Sequence, residues 1–257
     1  APTPANPVQG IAIKDISFTY PGCHEQVLWD INLIIPPGQV IALVGPNGSG
    51  KTSLIKLLTR LYDPDQGSVS LDGRNIKEYD LLGYRSLFGV IFQDFTKYAN
   101  TIAENIGFGD INNFSDRNAI ERAARISGAH SFVKMYPKRY DTLLGRLFDG
   151  GRDLSEGEWQ KIALARSMMD RSRIIVLDEP TSSMDPDSEY ELFKNFKKRI
   201  GDRSALLISH RLSTVKMADY IYVFETGKIS EQGTHEELIS KKGAYEKSFM
   251  KQSSGYV

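Results

Sequence analysis

Cysteine is almost missing from this chain: Cys23 stands alone among 257 residues. No internal disulfide can form, which fits a reducing compartment, and the cytosol is the expected setting. Long apolar runs are missing too. The longest are short stretches such as Val40–Val44, far below the roughly 18 residues that a membrane-crossing helix needs, and no secretory pattern is expected at the start. Neither sign of charge is in excess, since 32 lysines and arginines face 32 aspartates and glutamates. That balance excludes a global positive field, so neither a nucleic acid nor direct membrane insertion is expected as a partner or role. Internal repeats are lacking. The one biased segment is residues 1–7, with three prolines and no apolar period, which reads as a linker.

Residues 8–257 are enough for one large domain or two lobes sharing a core. Over residues 11–44 short alternating strands are broken by Pro21-Gly22 and Pro36-Pro37-Gly38, the pattern of an antiparallel sheet feeding a buried strand at Val40–Val44. A helix over residues 51–61 places Leu54, Leu57, Leu58 and Leu61 on one face. Residues 67–73 return to a strand. Residues 101–169 read as mainly helical, with Ser115 as one N-cap and Gly128 as the matching C-cap. Two apolar runs, 174–177 and 205–208, have the character of strands buried on both faces, with a helix between them ending near Gly201. Such alternation predicts an α/β fold: a P-loop NTPase core with a parallel sheet flanked by helices, an N-terminal antiparallel β subdomain and a helical subdomain. The expected division is core at about 8–93 and 171–257, with the helical subdomain at about 94–170.

The chemistry begins at Gly45 and runs through Pro46, Asn47, Gly48, Ser49 and Gly50 to Lys51, Thr52 and Ser53. Placed between a buried strand and an amphipathic helix, this is the P-loop arrangement. Its glycines let backbone N–H groups converge on phosphates, the helix N-terminus adds positive potential, and Lys51 reaches the outer phosphates while Thr52 holds Mg²⁺. Downstream, Ile174-Ile-Val-Leu-Asp178-Glu179 is an apolar strand ending in two carboxylates. Ligands of open α/β sheets bind at the carboxyl ends of strands, so Asp178 suits the Mg²⁺ shell and Glu179 the polarisation of an attacking water. A plain acidic turn ahead of Pro180 is the competing explanation.

With further marks in order, the sequence from about Val8 onward resembles the ABC transporter ATPase family. The resemblance implies ATP and Mg²⁺ as ligands and ATP hydrolysis as the activity. It assigns Tyr20, 25 residues before Gly45, to adenine stacking. It makes Gln93 a loop glutamine that touches Mg²⁺, Asp185 the acid of the loop that communicates across a dimer, and His210 the histidine that contacts the γ-phosphate. It also makes Leu154-Ser155-Glu156-Gly157-Glu158 the counterpart of the Leu-Ser-Gly-Gly-Gln signature, so that Ser155, Gly157 and Glu158 would meet the triphosphate held by a second cassette. Here Glu156 replaces a glycine and Glu158 a glutamine. Acids at this position either repel the partner's phosphates or cap their own helix, and the Ser-x-x-Glu spacing of Ser155 to Glu158 favours the cap for both side chains.

The stretch Thr101-Ile-Ala-Glu-Asn-Ile106 resembles that of exporters whose membrane domain is fused ahead of the cassette, and the Pro-rich start is where such a fusion would be severed. The residues around Phe92–Tyr98 and Glu158–Lys161 are similar to those of exporters of modified peptides, lantibiotics among them. Thr142-Leu-Leu-Gly145-Arg146 stands where exporters carry Thr-x-x-Gly-Glu, with Arg146 in place of the acid. The implied partners are a second cassette and a transmembrane domain, at the cytoplasmic face of the membrane. Two other functions stay open: a cassette binding ATP mainly as a structural partner in a heterodimer, which the altered signature suggests, and a soluble P-loop kinase, which would have no use for the signature, Gln93 or His210.

Overall fold

The computed structural model describes residues 1–145, 151–169, 172–180, 186–194, 196–209 and 211–254. The chain forms two compact units, one of residues 1–85 and 202–257, the other of residues 86–201. In chain order the first unit opens with β1 (Ile11–Thr19), β2 (Gln26–Ile35), β3 (Val40–Val44), α1 (Lys51–Leu58), β4 (Gln66–Leu71), β5 (Arg74–Asn75) and α2 (Leu81–Arg85). The second unit follows with β6 (Phe88–Ile91), α3 (Ile102–Gly107), α4 (Arg117–Ser127), α5 (His130–Val133), α6 (Glu156–Ser167), β7 (Ile174–Asp178), α7 (Pro186–Lys194) and α8 (Phe196–Ile200). The chain then returns to the first unit with β8 (Ser204–Ile208), α9 (Leu212–Val215), β9 (Tyr220–Glu225), β10 (Lys228–Gly233), α10 (His235–Lys241) and α11 (Ala244–Ser254).

The antiparallel sheet expected from residues 11–44 is present in the first unit, in the order β2-β1-β4-β5, with Ile11 opposite Ile35 and Ile13 opposite Leu33. In β2 the side chains of Leu28, Ile31, Leu33 and Ile35 are buried while Trp29 and Ile34 face solvent. That is the alternation of a sheet with one dry face. β3 differs, since all five of its residues are buried. It lies between β8 and β9 and runs parallel to both, Ile41 pairing with Leu206 on one side and Tyr220 on the other, and β10 adds an antiparallel edge to β9. A strand clothed on both faces is the ordinary setting for a loop that must hold its shape. The chain start is tied to this unit, the Ala1 amino group donating to Glu78 O and Ala1 O accepting from Asp80 N–H, and just after the Pro-rich segment the Asp72 carboxylate accepts from the backbone N–H groups of Val8, Gln9 and Gly10.

Two helix boundaries differ from the sequence reading. The helix after the P-loop stops at Leu58, and Leu61 is exposed rather than on its buried face. Leu61 N–H closes onto Lys56 O at 2.8 Å and Arg60 N–H onto Leu57 O at 2.9 Å, a Schellman closure in which Arg60, at φ 55°, takes the left-handed position that glycine usually fills. In α4 the N-cap is Asp116, whose carboxylate accepts from Asn118 and Ala119 N–H, not Ser115. Gly128 ends that helix at φ 77° as expected.

In the second unit β6 and β7 pair in parallel, Phe88 with Ile174 and Ile91 with Leu177. In the same unit α6 buries Trp159, Ile162, Ala163, Leu164 and Ala165, and it packs on α3, α4 and β6. Burial on most sides fixes the helix axis, so whatever its N-terminus presents is presented rigidly.

Candidate functional site

The first unit carries the phosphate loop. Gly45 follows β3 at φ 142°, and a Cβ there would meet the Phe224 carbonyl oxygen at 2.1 Å. Gly50 is the N-cap of α1 at φ 102°, with Leu28 Cδ2 only 2.5 Å from where a Cβ would sit. Both positions demand glycine on conformation, and Gly45, which faces backbone, demands it on space as well. Lys51 is buried, and its Nζ donates to Gly45 O at 2.8 Å, Pro46 O at 2.9 Å and Ser49 Oγ at 3.3 Å. The ammonium is thereby centred on the curl of the loop rather than left on a flexible stem. Thr52 is exposed on the first turn of α1, and Ser53 is buried behind it. Tyr20 is tied to this turn, its hydroxyl 2.9 Å from Ser53 Oγ. Its ring meets Phe18 and Tyr62 with centroids 4.9 and 5.3 Å away, and Lys56 Nζ stands 5.3 Å from its centre.

The second unit carries the paired acids and the signature. Asp178 closes β7 and is buried, while Glu179 takes φ 51° directly after it. A left-handed backbone is rare outside glycine, and strain of that kind gathers at functional turns. Gln93 is exposed in the turn that follows β6. At the signature, Ser155 is the N-cap of α6 and forms a capping box with Glu158. The Glu158 carboxylate accepts from Ser155 N–H at 2.9 Å, from Ser155 Oγ at 2.9 Å and from the Tyr136 hydroxyl at 3.1 Å. Burial first, and then the Glu158 charge, push the Tyr136 hydroxyl up from its ordinary pKa, so it remains a donor. The Arg152 guanidinium lies 4.3 Å from the centre of the Tyr136 ring, a cation–π contact beside the same carboxylate. Glu156 behaves otherwise: instead of capping its own helix it pairs with Lys97, a correction to the expectation that both acids would cap.

His210, Asp185 and Arg146 lie outside the described residues. The structure adds residues that sequence reasoning missed. Asn105 is fully buried, and its amide donates to the carbonyl oxygens of Tyr98, Asn100 and Thr101. Arg166, on α6, donates to Asn105 O at 2.8 Å, Asn105 Oδ1 at 3.2 Å and Thr96 O at 3.1 Å, and it stacks 4.8 Å over the Tyr98 ring. Burial draws this guanidinium below its ordinary pKa, the expected cost of taking a cation out of water. Asn105 belongs to the Thr101–Ile106 stretch singled out in the sequence; its carbonyl partners lie four to seven residues before it, whereas its contact with Arg166 spans 61 residues and carries no local signal.

Residues 28–182, more than half of the chain, match the family described as ABC transporter. The chain belongs to the ABC transporter family. The shared domain of that family is an ATP-hydrolysing one. It is 43% identical to the subtilin transport ATP-binding protein of Bacillus subtilis over 98% of this chain and 41% of that protein. Identity to the ATP-dependent lipid A-core flippase of Photobacterium profundum is 41%, over 91% of this chain and 40% of the flippase. Among solved structures, a bacterial Atm1-family ABC exporter with ATP bound matches with a TM-score of 0.86 and 29% identity, over 98% of this chain and 44% of that one. These exporter relatives accord with the exporter resemblance of the sequence. The chain spans less than half the length of each of them, and among the described residues no helix is long and apolar enough to cross a membrane.

The hydroxyl of Thr52, the carboxylate of Asp178 and the amide oxygen of Gln93 are each of the hard oxygen type that Mg²⁺ prefers. No group of three or more His, Cys, Asp or Glu gathers among the described residues.

Proposed function

We propose that this chain is the ATP-hydrolysing motor domain of an ABC exporter, working as a head-to-tail pair in which each ATP lies between one copy's P-loop and the other's signature. The observation that carries this reading is the pairing of two anion-directed elements in one chain. One is a loop with Lys51 centred on it; the other is a rigid helix N-terminus at Ser155 whose acids are already engaged by its own unit. A kinase that phosphorylates a small molecule needs only the first.

In this mechanism the N–H groups of Gly48 to Lys51 and the Lys51 ammonium hold the β- and γ-phosphates, and Tyr20 stacks on adenine. Thr52, Asp178 and Gln93 would hold Mg²⁺, which supplies charge neutralisation on the phosphates. Glu179 orients or deprotonates the attacking water, His210 holds the γ-phosphate, and Asp185 carries the state of one site to the other. Ser155 and Gly157 close on the partner's triphosphate. Glu158, which the resemblance makes a phosphate contact, acts through the cap it forms with Ser155. Catalysis then rests on position and electrostatics rather than covalent chemistry. Closure on ATP and reopening after hydrolysis would drive a transmembrane domain at the cytoplasmic face of the membrane, and the subtilin relative supports a peptide as cargo.

The experiment is the dependence of ATPase rate on protein concentration. A two-cassette site predicts a rate that rises more than linearly until dimers saturate. A strictly linear rise from the lowest concentrations, with phosphate passed to an added small-molecule acceptor, supports the kinase. Absent hydrolysis at every concentration supports the structural partner cassette.

A further inference from the structure

We infer that Lys97 is a charge-compensating positioning residue for the signature: it neutralises Glu156 so that the N-terminus of α6 can still close on a partner's triphosphate. The inference rests on the proposed function above, in which Ser155 and Gly157 meet the nucleotide of a second copy.

The ion pair is Lys97 Nζ to Glu156 Oε2, and the two side chains are 41% and 50% exposed. An ordinary surface pair of that exposure contributes little, because two long side chains must be ordered to make it. Lys97 differs in how its backbone is held. On one side, Thr96 O accepts from Arg166 Nη1 at 3.1 Å. On the other, Tyr98 N–H donates to Asn105 Oδ1 at 3.3 Å, and Tyr98 O accepts from Asn105 Nδ2 at 3.0 Å. Arg166 belongs to α6 and Asn105 to α3, both elements packed together, so the segment that carries Lys97 is fastened to the helix that carries Glu156. Part of the ordering cost is thereby met before the pair forms.

Chemistry requires such a partner at this place. The first turn of α6 holds two acids, Glu156 and Glu158. Glu158 is consumed by the cap and by the Tyr136 hydroxyl. Glu156 has no place in the cap, and an unpaired carboxylate there would oppose an incoming triphosphate. Lys97 lies 59 residues earlier in sequence and supplies the missing positive charge. Because it follows Gln93 by four positions, the same lysine links the glutamine loop to the signature helix through one contact.

The test uses ATP-dependent pairing of the Glu179→Gln chain, measured by sedimentation with Mg-ATP, with three further backgrounds: Lys97→Met, Glu156→Gln, and both. Compensation predicts opposite signs. Lys97→Met weakens pairing by about tenfold, a shift of about 1.4 kcal/mol; Glu156→Gln strengthens it; the double change returns to within about threefold of the starting chain. Lys97→Arg keeps the positive charge and keeps pairing. The shifts of Lys97→Met and Glu156→Gln both shrink at about 1 M salt, where the screening length falls to about 3 Å, while thermal unfolding stays unchanged. A purely structural brace predicts that both single changes weaken pairing to the same extent and that the double is no better, and that result overturns the inference. So does pairing that ignores Lys97, or shifts that ignore salt. If the Glu179→Gln chain never pairs with ATP, the underlying two-cassette reading falls, and this inference falls with it.

Discussion

Lys51 shows how one side chain ties sequence to chemistry. Its ammonium donates to Gly45 O, Pro46 O and Ser49 Oγ, so the loop that is to hold phosphates also fixes the charge that faces them. Lys51→Ala removes that charge from a site shaped around it, and nucleotide binding at micromolar ATP should vanish while the circular dichroism spectrum is kept. Binding at wild-type affinity would refute the phosphate-loop assignment. This residue was fully legible in the sequence, because glycines, lysine and hydroxyl must stand at fixed spacing between a buried strand and a helix. Tyr20 was legible only as an aromatic at a suitable distance from Gly45. Its bond to Ser53 joins the edge of a strand to the first turn of α1 and depends on how the sheet folds over the helix.

At the scale of elements, α6 and its surroundings separate local from tertiary information. The capping box of Ser155 and Glu158 could be read from spacing, since both partners lie within one turn. Glutamine satisfies the same box, so Glu158→Gln should cost a few tenths of a kcal/mol at most, while Ser155→Ala should cost about 0.5–2 kcal/mol in denaturant unfolding. Equal losses would mean that the box is not what holds this turn. The buried Asn105 is a stronger case. Asn105→Ala removes the amide from three backbone carbonyls that each keep one backbone N–H donor, and takes one side-chain acceptor from Arg166; it should destabilise the second unit by about 1–3 kcal/mol, the cost of removing one partner from a buried polar network. A change under about 0.5 kcal/mol would show that water replaces the amide at no cost. Boundaries were read less well than existence. The early stop of α1 depends on Arg60 taking a left-handed conformation that nothing in its side chain announces, and Asp116 displaces Ser115 because the residue one position later aligns its carboxylate with two free N–H groups.

For the whole molecule, the antiparallel sheet, the parallel strands and the helical segment were all expected from periodicity, since burial on one face and burial on both leave different patterns. Long-range pairs left no such trace. Lys97 and Glu156, or Arg166 and Asn105, are ordinary charged and polar residues until the fold brings them together. Two elements of the molecule each fit only half of a nucleotide site, and in the proposed function two copies complete it. The most direct measurement is the solution mass of the Glu179→Gln chain with and without Mg-ATP. Loss of the group that activates water should lower turnover by about 10²–10⁴ while leaving ATP bound, so the 28.8 kDa chain should double in mass with Mg-ATP and return to its single mass when ATP is removed. A mass of one chain under both conditions, with hydrolysis near the wild-type rate, would contradict the account.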